Sequence, residues 1–141
     1  MRNKDHNERE REIVICADDD PTLRVFYNRV IGRYCDERNY KLEMLSSGEE
    51  LEARLNNPSL NDLHDIVAVL TDNSMPPGPS GIKIIRKYSG LSGAPPFILS
   101  SGDFIDEESL EKAGVTTFLK KPVRYKDMID AIDSAISERL V

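Results

Sequence analysis

The chain has 141 residues, the size of one compact domain that can bury a core without disulfides or structural metal. Hydrophobic residues at 39% and charged residues at 31% exclude a disordered or fibrous chain, and every apolar run is far shorter than the roughly 20 residues of a membrane span. A net charge of −6 leaves no broad basic surface for a phosphate backbone, so no direct nucleic-acid binding is expected.

Residues 1–11 alternate acids and bases, lack the apolar centre of a secretory signal, and read as a charged tail. Residues 12–141 read as one domain. The run Ile13-Val14-Ile15-Cys16-Ala17 is a buried strand by its β-branched content. Asp20 caps the helix that follows, with Pro21 at its first position, where a missing N–H costs nothing. Leu23, Phe26, Tyr27, Val30, Ile31 and Tyr34 give that helix an apolar stripe of period 3.6.

Tyr40 to Leu45 alternates apolar and polar residues, as a strand nearer the sheet edge does. Ser47-Gly48 leads into a short helix around Leu51 and Leu55, ended by Asn56-Asn57-Pro58-Ser59. Ile66-Val67-Ala68-Val69-Leu70 is the most hydrophobic run, expected as a central strand that stops at Thr71-Asp72. A loop with Pro76, Pro77, Gly78, Pro79 and Gly81 precedes a helix carrying Ile82, Ile85 and Tyr88. The fourth strand is Phe97 to Ser100, and the helix from Asp106 to Lys112 is closed by Ala113-Gly114. The fifth strand is Val115 to Leu119. Met128, Ile129, Ile132, Ala135, Ile136 and Leu140 mark a last helix. Five strands alternating with five helices predict a doubly wound α/β domain, a parallel sheet with helices on both faces.

The polar residues fall at informative places on this frame. Asp18 and Asp19 close the first strand, Asp72 the third, Ser100 the fourth and Lys121 the fifth, so all five lie at carboxyl ends. In an open parallel sheet those ends line one crevice, the place where ligands bind. Carboxylates gathered there repel by roughly 4 kcal/mol for a pair 4 Å apart at an effective dielectric near 20. A hard cation relieves this, and Mg²⁺ suits a site with few carboxylates that keeps waters and recruits phosphate oxygens. Lys121 supplies a second positive charge. Together they would offset the charge on a transferring phosphoryl group, whose chemistry is mostly positioning and electrostatics.

Four segments here resemble, in order, the motifs of response-regulator receiver domains of two-component signalling. Ile15 to Pro21 is similar to their acidic first-strand motif, Leu70 to Pro76 to their phosphoacceptor segment, Leu99-Ser100-Ser101 to their switch hydroxyl, and Phe118 to Pro122 to their Lys-Pro signature. The resemblance runs from about Glu12 to Val141 and implies a flavodoxin-like strand order 2-1-3-4-5. It also implies that Asp72 is the phosphoacceptor and takes a phosphoryl group from a phosphohistidine. Asp19 would bind Mg²⁺ directly, Asp18 through water, and the backbone carbonyl of Ser74 would complete the protein ligands. Lys121 would bridge to phosphoryl oxygens. Ser100 would swing toward them and Phe118 would turn into the vacated space, a local event that biases a two-state surface. A cis peptide before Pro122 is a further implication.

Three positions depart from the pattern. Two additional prolines intervene after Met75-Pro76, and the family's glycine falls one residue sooner than Gly81. Phe118 lacks the hydroxyl of the tyrosine often found there. Gly102 replaces a longer side chain at a position that influences loss of the phosphoryl group.

Plainer readings exist for several residues. Asp20 is a cap and not a ligand. Asp72 alone could cap a loop, Ser100 could satisfy a backbone group with Ser101 as the register alternative, and Lys121 beside Lys120 could be one of two solvated lysines, although Pro122 marks a tight turn and the family spacing selects Lys121. Phe118 is a core aromatic unless phosphorylation recruits it. The cluster of Lys120, Lys121, Arg124 and Lys126 fits a solvated helix start. Cys16 and Cys35 have no metal-ligand or C-x-x-C spacing and are expected as reduced thiols in a cytoplasmic protein; His6 and His64 are isolated.

The sequence therefore predicts a stand-alone receiver, phosphorylated on Asp72 with Mg²⁺, that signals by docking and is not an enzyme beyond its own phosphoryl transfer and slow dephosphorylation. Its expected partners are a histidine kinase or histidine phosphotransfer protein upstream and a target protein downstream, with no membrane insertion and room for a homodimer. Two rival readings are a Mg²⁺-dependent phosphatase or phosphotransferase of small molecules, and a receiver fold used as a scaffold without phosphorylation.

Overall fold

The computed structural model describes residues 12–56 and 63–139. The tail at 1–11, Asn57-Pro58-Ser59 and Leu140 lie outside the described residues. The strands are β1 (Ile13–Ala17), β2 (Lys41–Leu45), β3 (Ile66–Asp72), β4 (Phe97–Ser101) and β5 (Thr117–Lys120). The helices are α1 (Pro21–Glu37), α2 (Gly48–Leu55), α3 (Gly81–Tyr88), α4 (Glu107–Ala113) and α5 (Tyr125–Arg139). Among the described residues the strands form one five-stranded sheet in the order β2-β1-β3-β4-β5, and each pairing is parallel.

Local chemistry sets the helix starts. The Asp20 carboxylate accepts from the N–H groups of Thr22 and Leu23 at 2.9 and 3.3 Å, capping α1 as expected, with Pro21 at its first position. Ser47, Ser80 and Asp106 cap α2, α3 and α4 in the same way. α4 ends at Gly114 with φ 93°, a left-handed conformation that a Cβ disfavours.

Alternation along each strand splits the core between the two faces of the sheet. On one face Val14, Cys16, Ala68, Leu70 and Ile98 pack with Tyr27, Ile31 and Tyr34 of α1 and Met128, Ile132 and Ile136 of α5. On the other, Ile15, Val69, Phe97 and Leu99 pack with Leu51 of α2, Ile84 and Ile85 of α3 and Ala113 of α4. Full burial of an aliphatic side chain of this size contributes about 1.5–3 kcal/mol, so the two layers dominate stability.

The differences from the expected boundaries have local causes. β2 begins at Lys41 because the Tyr40 N–H is spent on closing α1, donating to the Cys35 carbonyl at 2.8 Å. β5 begins at Thr117 because Val115 still belongs to the turn that ends α4, its N–H donating to Leu110. β3 runs through Thr71 and Asp72, whose polar side chains did not stop the ladder. A single 3-10 turn, Leu63–Asp65, leads into β3 and had no signal in the sequence. Phe26 was placed on the buried stripe of α1, yet it is 39% exposed at the margin of that face. Among the described residues no helix is long and apolar enough to cross a membrane.

Candidate functional site

The carboxyl ends of β1, β3 and β5 bring Asp18, Asp19, Asp72 and Lys121 into one crevice. Asp18, Asp19 and Asp72 each offer a carboxylate oxygen within 4.8 Å of the others. Lys121 Nζ lies 2.9 Å from Asp18 Oδ2 and 3.2 Å from Asp72 Oδ1, so one ammonium touches carboxylates from two strands. These contacts join residues 103 positions apart for the first pair, and only the parallel order β1-β3-β4-β5 closes that gap.

The two acids of the β1 end differ in freedom. Asp18 is buried, and its Oδ1 accepts from the Asp20 N–H at 2.9 Å while Oδ2 accepts from Lys121. Asp19 is exposed at the mouth. A cation needing direct oxygen ligands finds Asp19 and Asp72 more available than Asp18, whose two oxygens already have donors.

Asp72 is 8% exposed. Burial raises its carboxyl above the usual range, and repulsion from Asp18 adds to this, while Lys121 and the Asn73 N–H pull the other way. Burial draws the Lys121 ammonium down, but its hydrogen bond to Asp18 and the attraction of Asp18 and Asp72 outweigh that, leaving it above the ordinary lysine value. The crevice thus holds excess negative charge that one lysine only partly balances. Oxygen donors at this spacing, with surplus negative charge, fit a hard divalent cation. Asp19 and Asp72, beside the buried Asp18, could hold it.

Asp72 and Ser100 are register partners on β3 and β4, which puts their side chains on the same face. Ser100 is buried at 4% exposure. Ser101 leaves the opposite face, and its Oγ accepts from the Asp103 N–H at 3.0 Å. Phe118 pairs with Leu99 and packs, half-buried, in the Ile15 and Val69 layer, whereas Leu119 joins the layer of Ile98. Ser100 and Phe118 therefore leave the sheet on opposite faces. Lys121–Pro122 is cis, as the resemblance implied, and Pro76–Pro77 is cis as well.

Of the neighbouring basic residues, Lys120 Nζ donates to the Gly102 carbonyl at 2.8 Å, and Arg124 and Lys126 lie 3.2 and 3.1 Å from Asp127 and Asp130. They are committed locally. Beside Lys121 an apolar cleft of about 320 Å³ opens between Leu23, Phe26 and Tyr27 of α1 and Pro122-Val123. A larger groove of about 600 Å³, lined by Arg29, Arg33, Asp36 and Lys41 among others, lies between α1 and edge strand β2, away from the crevice.

Sequence reasoning missed two residues here. Asn73 donates its N–H to Ser100 O at 2.9 Å, and its side-chain oxygen accepts from the Ile82 N–H at 3.0 Å, tying β4 and α3 to the residue after Asp72. Arg24 of α1 reaches the Asp18 carbonyl at 3.0 Å. An asparagine beside Asp72 followed by a helix start nine residues on was the available signal for the first.

Comparison with solved structures decides the fold family. The chain is similar to the signal receiver domain of an HD domain-containing protein from Pseudomonas fluorescens Pf-5, with a TM-score of 0.73 at 13% identity over 92% of this chain and 98% of that one. A CheY-like response regulator receiver domain protein from Methanospirillum hungatei JF-1 gives 0.72 at 19% identity over 92% and 97%. A receiver domain protein from Clostridium thermocellum gives 0.71 at 24% identity over the same shares. The fold is that of a response-regulator receiver domain. No family model matches the chain, and neither does any curated protein sequence. The receiver fold is thus recognised by shape where overall sequence similarity has faded, and its acidic crevice lies where the four motifs meet.

Proposed function

We propose that the chain is a cytoplasmic phosphoryl-accepting receiver in a two-component or phosphorelay system, with Asp72 as the acceptor. The observation that carries this reading is the position of Lys121 Nζ, in contact with both Asp18 and Asp72 at the end of the central strand. Asp72 lies in a crevice, not on a convex surface, so a donor must present its phosphoryl group at the carboxyl end of the sheet.

In the proposed transfer an Asp72 carboxylate oxygen forms the new bond to phosphorus as the donor's nitrogen–phosphorus bond breaks and its electron pair returns to the imidazole. The donor is a histidine kinase or histidine phosphotransfer protein. Lys121 shifts from bridging two carboxylates to holding a phosphoryl oxygen, so its charge is already in place when the phosphoryl charge arrives. Asp19, Asp72 and the Ser74 carbonyl would hold Mg²⁺, with Asp18 acting through water, and the ion would supply the remaining neutralisation of the phosphoryl oxygens. The Ser100 hydroxyl, on the same face as Asp72, donates to the new group.

The response reaches a downstream target by docking. Ser100 and Phe118 lie on opposite faces, so coupling between them passes through the β4 backbone and its bond from the Lys121 N–H to Ser101 O at 2.9 Å, not through direct exchange of space. The protein performs its own phosphoryl transfer and no turnover of a separate substrate.

Incubation with a small phosphodonor, with and without Mg²⁺, followed by intact-mass measurement and peptide mapping tests this. One alkali-labile phosphoryl group on Asp72 is expected, absent without metal and absent in Asp72→Asn. Steady release of phosphate from a free metabolite would instead favour a small-molecule phosphatase. A partner that binds wild type and Asp72→Asn equally before and after phosphodonor treatment would favour a scaffold.

A further inference from the structure

We propose that Arg24 is a positioning residue for the acidic turn, holding the Asp18 peptide so that the Asp19 carboxylate faces the crevice. The inference rests on the reading of that crevice as a cation and phosphoryl site, and it adds a residue from outside the set of strand ends.

Each polar group of Asp18 in this turn has a partner. The Asp18 N–H donates to Leu45 O at 3.1 Å, continuing the β1–β2 ladder by one residue. Its carboxylate is occupied by the Asp20 N–H and by Lys121. What is left is the Asp18 carbonyl, which lies past the end of β1 at a residue only 1% exposed. A buried carbonyl without a donor is costly, and Arg24 NH1 supplies one at 3.0 Å. The backbone of the same residue is bonded to the same turn, since the Arg24 N–H donates to Asp20 O at 2.9 Å. Arg24 therefore grips the turn at both ends, by its side chain at Asp18 and by its main chain at Asp20.

The consequence falls on Asp19. Its own side chain is exposed, and the two peptide units that flank it set the Cα–Cβ direction from which its carboxylate starts. The first of these carries the carbonyl that Arg24 holds. Releasing it lets that unit rotate and lets the Asp19 oxygens leave the 4.8 Å cluster shared with Asp18 and Asp72. Partners that orient ligands are worth about 10-fold or more in metal affinity.

Charge and positioning predict opposite signs, which makes the idea testable. A guanidinium beside a cation site repels the cation, so if Arg24 were only a nearby charge its removal would tighten Mg²⁺ binding. If it positions the turn, removal weakens binding. Mg²⁺ titration by calorimetry of wild type, Arg24→Gln and Arg24→Lys is paired with amide hydrogen exchange of the same three proteins without metal. The expected result is about a 10-fold loss of Mg²⁺ affinity in Arg24→Gln, faster exchange of the Asp20 amide, unchanged exchange in the interior of α1, and partial rescue of both effects in Arg24→Lys. Tighter Mg²⁺ binding in Arg24→Gln overturns the proposal, as does an Asp20 amide that exchanges at the wild-type rate. A wild type without measurable Mg²⁺ affinity overturns the metal reading of the crevice itself, and the exchange arm still decides whether Arg24 holds the turn.

Discussion

Gly81 sits so close to Asp72 that a β-carbon on it would lie 2.4 Å from the Asp72 carbonyl oxygen. The same atom would meet Leu99 Cδ1 at 3.0 Å and Asn73 Cα at 3.2 Å. Two of these three neighbours, the nearest included, are backbone, so movement of the Leu99 side chain alone cannot relieve the clash. The glycine is therefore set by the approach of α3 to the end of β3, an approach held by the Gly81 N–H donating to Asn73 O at 2.8 Å.

Gly81→Ala is expected to lower folding stability by about 1–3 kcal/mol, the usual cost of overpacking, and to slow phosphorylation because the Asp72 segment must shift. Gly32→Ala is the control. It lies inside α1, its nearest neighbour would be Leu42 Cδ2 at 3.9 Å, and it should gain about 0.5–1 kcal/mol from the better helix former. Urea midpoints and phosphodonor kinetics on the pair decide the matter; a Gly81→Ala protein equal to wild type in both would show slack where the packing has none.

Much of this arrangement was legible in the sequence, and the reasons are specific. Apolar runs starting at Ile13, Ile66 and Phe97 marked the strands because both faces of this sheet are buried. Aspartate, serine and lysine at the ends of such runs had no other position to occupy than the carboxyl edge, so the crevice followed from the topology. What was hidden depends on side-chain reach and close approach. Arg24 looked like one more polar position on a helix, and the contact of Gly81 with Asp72 belongs to a loop whose path three prolines do not dictate. The faces taken by Ser100 and Phe118 hinge on a one-residue register between β4 and β5, which alternation alone leaves open when both neighbours are serines.

Lys121 balances two carboxylates, and its removal should be felt in folding before any phosphoryl chemistry. Lys121→Met leaves Asp18 and Asp72 facing each other without a cation, and a loss of about 1–3 kcal/mol is expected in metal-free buffer. Asp72→Asn should act in the opposite direction. Burial and Asp18 hold the Asp72 carboxyl above its usual 3.8, so the folded state binds this proton more tightly than the unfolded state does. Stability from this group then falls as pH rises from the unfolded value through the higher folded one. The stabilising effect of Asp72→Asn should be present above that window and disappear below it. Urea midpoints of both proteins across the acid range, in chelator, give the answer; an advantage that grows on acidification would reverse the assigned sign.

Both thiols should be silent in the native protein. Cys16 and Cys35 are buried at 0% and 1% exposure. Burial, reinforced by Asp36, pushes the Cys35 thiol up to about 11, and burial raises Cys16 further still. At pH 8 only about a thousandth of Cys35 would be thiolate, the form that reacts. Labelling by an aromatic disulfide reagent should therefore proceed at the rate of unfolding, with two thiols released at once in denaturant. Rapid modification of Cys35 under native conditions would mean that α1 opens away from the sheet far more easily than its packing allows.

Gly102 offers access to the lifetime of the proposed phosphorylated state. It lies two residues past Ser100, in a bend just beyond the end of β4, and a β-carbon on it would have no heavy atom within 4 Å. Its carbonyl is held by Lys120, so the backbone is anchored while the side-chain position is open. Gly102→Ala should leave the rate of phosphoryl loss unchanged and stability unchanged or raised by up to about 1 kcal/mol, through the stiffer unfolded chain. A bulky apolar residue is expected to act differently, by covering the open position against the water that hydrolysis of the proposed phosphoryl group needs. Gly102→Leu is expected to slow phosphoryl loss by about threefold or more, close to 0.6 kcal/mol in the barrier, with phosphorylation by a small donor less affected. Decay of the phosphorylated protein after donor removal measures this. Equal lifetimes for the glycine, alanine and leucine proteins would place the path of the attacking water elsewhere.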